Sequence, residues 1–359
     1  MNPAKNTLLL IALCFLAAAT TAKEIKQITS PNKKLSATFH QETIGDSTAF
    51  YLSIQAREGK ATTLLIPRID LGIERAGIPF SKHTTLLRHS ARKKIAERYT
   101  ALHGKRKERS NQAHEMTFYW ADPQGNKLNL ILRVYNDGVC FRYQIPDSSA
   151  APVRITREKT AYTLPPSADR WLQHFVTSYE GPFLPQQEEI KQGEWGYPAL
   201  FCANEKWMLL TEADIDRNYC ATKLHNLSDK HRYELSFPTP TDGNGTGDII
   251  PSTPLPWVSP WRVIIAGELK DIVESTLVEN VSAPCRMQDT DWILPGRAAW
   301  IYWAYNHSTR DFRKVCEYID LAAEMGWEYM LIDWEWDIME NGGNLEDAVR
   351  YAREKSIPP

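Results

Sequence analysis

Six cysteines among 359 residues is few, and none forms a C-x-x-C pair or neighbours a pair of histidines. Outside the first 22 residues they are Cys140, Cys202, Cys220, Cys285 and Cys316, an odd and scattered set. That is weak evidence for a zinc site or a disulfide framework, so buried or half-buried thiols are expected. Charge of either sign is also not in excess: the formal net charge is -2. Such a balance calls for neither nucleic acid nor an anionic membrane surface. The densest basic stretch, "RHSARKKIAERYTALHGKRKERSNQ", lacks any recognisable nucleic-acid module and reads as a solvated surface loop. No apolar run reaches the about 20 residues of a spanning helix, and no internal repeat is present.

What the N-terminus does have is a leader. Lys5 supplies a basic start, "LLLIALCFLAAA" an apolar core, and "TTA" before Lys23 a small-residue cleavage site, so residues 1–22 read as a signal peptide. Cys14 lies inside the apolar run, without the small residues that a lipoprotein cleavage site would place before it. The chain is therefore expected to be exported, to the periplasm or the exterior. The remainder, in a chain 43% hydrophobic and 24% charged, is globular and long enough for two domains of about 150 residues each.

From Ile25 to about Val281 the texture is that of strands and turns. In "KLNLILRVYNDGVCFRYQI", Leu128, Leu130, Leu132 and Val134 alternate on one face, and Val139, Phe141 and Tyr143 resume the alternation after the corner. An Asn-Asp-Gly corner between alternating runs predicts a hairpin whose turn tolerates positive φ. "DPQGN" and "DGNGTGD" predict further turns. Many strands over about 250 residues predict a large antiparallel sandwich.

The texture changes near Asp291. "GRAAWIYW" reads as a buried strand. "STRDFRKVCEYIDLAAEMG" reads as a helix begun by Ser308 and Asp311, with Phe312, Val315, Cys316, Ile319 and Ala323 on one face and Gly326 as its stop. A second apolar strand spans 327–336, and "NLEDAVRYAREKS" makes a second helix capped by Asn344, with Leu345, Ala348, Val349 and Ala352 on one face. Strand, helix, strand, helix requires parallel strands. With only about 70 residues after the change, against roughly 250 for an eight-stranded α/β barrel, this is the expected start of a barrel within a longer protein.

The second of these strands, in "WEYMLIDWEWD", ends in Asp333, Trp334, Glu335 and Trp336; Trp303, Asn306 and His307 follow the first. Parallel α/β folds bind ligands at the carboxyl ends of their strands. Carboxylates bind sugar hydroxyls or act as general acid or base, and indoles stack on a pyranose face. The bland alternative is that Asp333 or Glu335 caps a loop while the tryptophans fill the rim of a core.

Four segments in order, "VYNDGVCFRYQI", "TPLPWVSPWRVIIAGEL", "LPGRAAWIYW" and "YIDLAAEMGWEYMLIDWEWD", resemble glycoside hydrolase family 97, the exported α-glycosidases. The resemblance covers nearly the whole mature chain. It implies an N-terminal β-super-sandwich over 23–283, followed over 284–359 by the first two units of a catalytic (β/α)8 TIM barrel. It further implies α-linked glucosides or galactosides as substrates and a calcium ion in the site, with Trp303, Asp333 and Trp334 as substrate-binding residues. The segment "HFVTSYEGPF" matches the one donating a glutamate to that calcium. Glu180 is thus the candidate ligand, with Glu188, Glu189 and Glu194 as rivals. The sequence departs from the family where a serine is expected near Ile301. None of its residues matches the family's catalytic carboxylates, which lie on later strands, so this chain alone is expected to be inactive. A monomer or weak oligomer is expected. The alternative from another class is a secreted carbohydrate-binding sandwich without hydrolase activity; a structural adhesion protein is a more distant third.

Overall fold

A computed structural model describes residues 20–79, 83–149, 151–186, 189–242, 247–305 and 308–358. Most of the expected leader, Glu188, Asn306, His307 and much of "DGNGTGD" lie outside the described residues. The chain divides into two compact units, between Pro284 and Cys285.

The first unit is built almost wholly of antiparallel strands. One sheet of eight strands opens with the meander Thr20–Thr29, Leu35–Ile44, Ser47–Glu58 and Ala61–Asp70, and continues through Ala161–Thr163 to Arg232–Ser236, Lys223–Asp229 and Glu194–Trp195. A second, of eleven strands, is centred on Glu108–Ala121, Lys127–Tyr135, Gly138–Ile145, Trp261–Gly267 and Lys206–Ala213. The two sheets share one core: Phe39 of the first stacks on Phe118 of the second with ring centroids 4.1 Å apart, and Leu128, Leu130, Leu132 and Val134 are fully buried in it. That is the sandwich that the alternation predicts, because period-two strands bury one face each. The second sheet's other face carries a smaller core. There Ala113, Tyr135, Val263 and Ile265 meet two short helices, α1 (Leu269–Glu274) and α2 (Leu277–Val281), through Ile272, Leu277 and Val281.

Two local expectations need correction. The hairpin of 127–145 forms, with Val134 opposite Val139, yet none of Asn136, Asp137 and Gly138 has positive φ. Gly138 is required for room instead: a Cβ there would lie 2.4 Å from both the Ile264 carbonyl oxygen and Leu277 Cδ2. Gly138→Ala is expected to destabilise the unit by about 1–3 kcal/mol through overpacking, read as a lowered urea midpoint; an unchanged midpoint would refute this account. The basic stretch is not a loop either. Lys93–Thr100 pairs antiparallel along Glu108–Ala121, from Lys93 opposite Glu115 to Thr100 opposite Glu108. Ile95 is the apolar residue that anchors it, and the exposed Lys93, Lys94 and Arg98 surround that single anchor. The "DPQGN" turn forms as expected, with the Asp122 carboxylate accepting from the amides of Gln124 (3.0 Å) and Asn126 (2.9 Å).

Deep in the first unit lies a fully buried cation. Arg262 donates through Nε and Nη2 to both oxygens of Glu158, at 2.8 and 2.7 Å, and through Nη1 to Glu212. Tyr219 and Thr160 also donate to Glu158, each at 2.8 Å. The Thr222 amide and hydroxyl donate to Glu212, at 2.9 and 2.7 Å.

Of the described cysteines, Cys140 is buried and Cys202, Cys220 and Cys316 are half-buried, but Cys285 is exposed, contrary to expectation. It lies in the segment 283–297, which forms neither helix nor strand and is exposed almost throughout. Among the described residues no helix is long and apolar enough to cross a membrane.

The second unit has a parallel strand pair, Ala298–Ala299 with Tyr329–Met330. It also has helices α3 (Phe312–Met325) and α4 (Leu345–Glu354). Ala299, Ile301 and Met330 pack against Val315, Ile319, Ala322, Ala348 and Ala352 of the helices. Residue 323, expected on the buried face of α3, is exposed; Ala322 is buried in its place. Helix α3 begins at Asp311, whose carboxylate accepts from the Arg313 and Lys314 amides, while Ser308 starts a 3-10 turn instead of the helix. Gly326 ends α3 in the left-handed region, and Asn344 caps α4 in a reciprocal box with Asp347, both as expected.

Candidate functional site

The expected apolar strands of the second unit are only two residues long each, and the reason is visible in their burial. One side chain in two points at the helices: Ala299, Ile301 and Met330 are buried, while Trp300 and Leu331 are 41% and 46% exposed. Covered on one face only, the pair keeps its ladder where the strands meet. The Leu331 amide donates to the Ala299 carbonyl at 2.9 Å, and the Tyr329 amide to Arg297 at 3.0 Å. Arg297 clamps the entry to both strands: its backbone amide, Nε and Nη2 all donate to the Glu328 carboxylate, at 2.7, 3.2 and 3.0 Å. These bonds lower the Glu328 carboxyl from its ordinary 4.5 to about 2.

The bare face carries the aromatic residues. Trp300 Nε1 donates to Asp333 Oδ2 at 2.8 Å across the two strands. The Trp300 ring lies 6.2 Å from Tyr302, stacked, and 5.5 Å from Trp303, tilted by 45°. Tyr302 in turn lies 6.2 Å from Trp334. Trp303 is 84% exposed and Trp334 55%, so both rings offer open faces. Beyond Ile301 the chain turns, with the Ile301 carbonyl accepting from the Ala304 and Tyr305 amides, each at 2.9 Å. Beyond Trp334 it turns again, through Glu335 at φ 67°. For a residue with a side chain that left-handed conformation costs about 1–2 kcal/mol, and such outliers concentrate where a loop is held for use.

Three of the predicted residues, Trp303, Asp333 and Trp334, thus fall in one connected cluster through Trp300 and Tyr302. Sequence reasoning passed over the two connectors, although the period of two in "AAWIYW" sets them opposite the buried Ala299 and Ile301. A carboxylate held by an indole N–H between exposed ring faces can accept from the hydroxyls of a sugar while the rings cover its apolar face.

Glu180 is in the first unit, on an exposed loop. The root of the loop is fixed by the His174 ring stacked on Trp195 at 4.3 Å, and by Gln173 Nε2 donating to the Tyr179 carbonyl at 2.9 Å. Tyr179, just before Glu180, has φ 56°, and the Glu180 carboxylate forms no ion pair among the described residues. Of its rivals, Glu194 is bound to Lys223 at 3.0 Å, and Glu188 lies outside the described residues. An exposed carboxylate supplies the hard oxygen donors that calcium takes, but calcium needs 6–8 of them. Among the described residues no group of three or more His, Cys, Asp or Glu side chains could hold a metal.

With this geometry in hand, known proteins can be set beside the chain. Residues 28–284 match the family described as Glycosyl-hydrolase 97 N-terminal. A probable retaining alpha-galactosidase of Streptomyces bingchenggensis (strain BCW-1) is 30% identical over 327 residues, which cover 87% of this chain and 49% of that protein. Among solved structures, a beta-arabinopyranosidase is 28% identical with a TM-score of 0.78, over 92% of this chain and 54% of the other. The fold is shared with a Glycoside Hydrolase Family 97 enzyme of Pseudoalteromonas sp. strain K8 in complex with acarbose, at 18% identity and TM-score 0.73, over 93% of this chain and 53% of that one. The chain spans about half the length of the curated relatives it matches.

Proposed function

Since the chain belongs to glycoside hydrolase family 97, we propose that it is the N-terminal half of an exported, calcium-dependent enzyme that hydrolyses α-linked glucosides or galactosides, with galactosides preferred. The observation that carries this is the Trp300–Asp333 pair among open indole faces at the ends of two parallel strands. In this reading the second unit is the first quarter of a (β/α)8 barrel, and its bare aromatic face belongs to the barrel's lining. The preference follows from relatives named as alpha-galactosidases and a beta-arabinopyranosidase. An L-arabinopyranose in the β configuration is an α-galactose ring without its hydroxymethyl group, so one pocket can serve both.

In the mechanism, this chain's residues bind and orient. Asp333, held by Trp300, accepts from ring hydroxyls, and Trp303 and Trp334 cover the sugar and exclude water from its apolar face. Glu180 would be one oxygen ligand of the calcium, an ion that when bound would supply positive charge to the site. Bond cleavage needs one carboxylic acid to protonate the glycosidic oxygen and a second carboxylate to attack or to activate water. Both belong to the longer protein, on later barrel strands.

The test is hydrolysis of nitrophenyl α-galactoside, α-glucoside and β-L-arabinopyranoside, by the 359-residue chain and by the protein read on past Pro359 in the source DNA. Turnover is expected from the longer protein only, lost on chelation with EGTA and restored by calcium. Turnover by the shorter chain, or a stop codon directly after Pro359, would overturn the reading in favour of a glycan-binding sandwich.

A further inference from the structure

The loop that carries Asp333 and Trp334 is fastened at both ends. Its near end stays in the strand ladder, where the Leu331 amide donates to the Ala299 carbonyl. Its far end, residues 340–343, is tied to the start of helix α3. There an isolated parallel bridge sets Asp311 beside Glu340. The Phe312 amide donates to the Glu340 carbonyl at 3.0 Å, and the Glu340 amide to the Arg310 carbonyl at 2.8 Å. Arg310 Nε also donates to the Glu340 carboxylate, at 2.8 Å. Gly343 lies so close to Phe312 that a Cβ would stand 2.7 Å from the ring.

One side chain belongs both to the helix and to this fastening. Asp311 Oδ1 accepts from the Arg313 and Lys314 amides, at 2.9 and 3.3 Å, and so caps α3. Its Oδ2 accepts from Asn341 Nδ2 at 2.8 Å, just where the loop turns through left-handed φ values at Asn341 (72°) and Gly342 (117°). An asparagine at 311 would cap the helix about as well as an aspartate. It would, however, present its own NH₂ to the NH₂ of Asn341, and the tether would be lost. The cap alone does not call for a carboxylate; cap and tether together do.

This second fastening bears on the aromatic site. A loop that must be ordered when its ligand arrives weakens binding by the cost of that ordering. Asp333 and Trp334 stand between two fixed points, and Trp300 holds Asp333 from the neighbouring strand.

We infer that Asp311 is a positioning residue of the sugar site: through Asn341 it fixes the loop that presents Asp333 and Trp334. The inference rests on the function proposed above.

The experiment compares Asp311→Asn and the double variant Asp311→Asn/Asn341→Asp with wild type. The single change removes the tether and keeps the cap, and the double change exchanges donor and acceptor to restore it. In the 359-residue chain, hydrogen exchange of the amides across 331–344 should quicken about fivefold in Asp311→Asn and return to normal in the double variant. The melting temperature should stay the same in both. In the longer protein, KM for nitrophenyl α-galactoside should rise about fivefold in Asp311→Asn with kcat within twofold, and recover in the double variant. A residue that only caps α3 would move neither exchange nor KM. Unchanged exchange, an unchanged KM, or a double variant no better than the single one overturns the inference. Asp333→Ala measured alongside separates it from its premise. If Asp333→Ala loses activity and Asp311→Asn does not, the positioning role alone falls; if neither loses activity, the sugar site falls with it.

Discussion

Arg262→Met is expected to cost the chain about 3–5 kcal/mol of folding stability at pH 7, measured by urea unfolding. The guanidinium is fully buried between two carboxylates that are 0% and 6% exposed. Removing it leaves two negative charges in the sandwich core, which is far costlier than losing an ion pair at the surface. The pH dependence follows from Glu212. Burial raises its carboxyl above the ordinary 4.5, while Arg262 pulls it back down. A carboxyl raised in the folded state takes up a proton on folding, so its contribution falls as pH rises above 4.5. Without Arg262 that rise is larger. The deficit of the variant should therefore be smallest near pH 4.5 and grow toward neutrality. A deficit under 1 kcal/mol at pH 7, or one that shrinks as pH rises, would contradict this account of the core.

In the longer protein, Asp333→Ala is expected to lower kcat/KM on the α-galactoside by about 10–100-fold. A hydrogen bond to a charged group contributes about 1.5–3 kcal/mol, and each 1.36 kcal/mol is tenfold in rate. Because Asp333 is only half-buried, the melting temperature should hardly move, which separates a binding defect from a folding one. Trp300→Phe keeps a ring but removes the N–H that orients Asp333, and should fall between wild type and Asp333→Ala. A kcat/KM within twofold of wild type for Asp333→Ala would remove this residue from the sugar pocket.

How far these features could be read in advance depends on how local their causes are. The hairpin of 127–145 was legible because each of its strands keeps strict alternation, and the ends of α3 and α4 because caps are matters of three or four residues. The strand Lys93–Thr100 was not legible, because a single apolar anchor, Ile95, gives no period to detect. The Glu158–Arg262–Glu212 cluster was hidden for another reason: its members stand 104 and 50 residues apart along the chain, and only the sheet topology unites them. At the candidate site, Asp333 and the exposed tryptophans were singled out by their position at a strand end. Trp300 and Tyr302 were missed because a strand expected to be buried on both faces offers no reason to single out one of them. The turn at Gly138 was assigned to the wrong cause, since crowding by Ile264 and Leu277 comes from residues far away in sequence.

The two units also differ in how they bury apolar surface, and that bears on the order in which the protein is made. The sandwich core joins residues as distant as Phe39 and Phe118 and is enclosed by both its sheets. The second unit's core is small and, among its nine buried members, four are alanines, while its strand pair is covered on one side. As the chain emerges from its N-terminus during synthesis, the sandwich can complete itself as soon as its last strand is out. In the proposed barrel the strand pair must hold its uncovered tryptophans in water until later barrel strands shield them, and in that interval a chaperone would matter most.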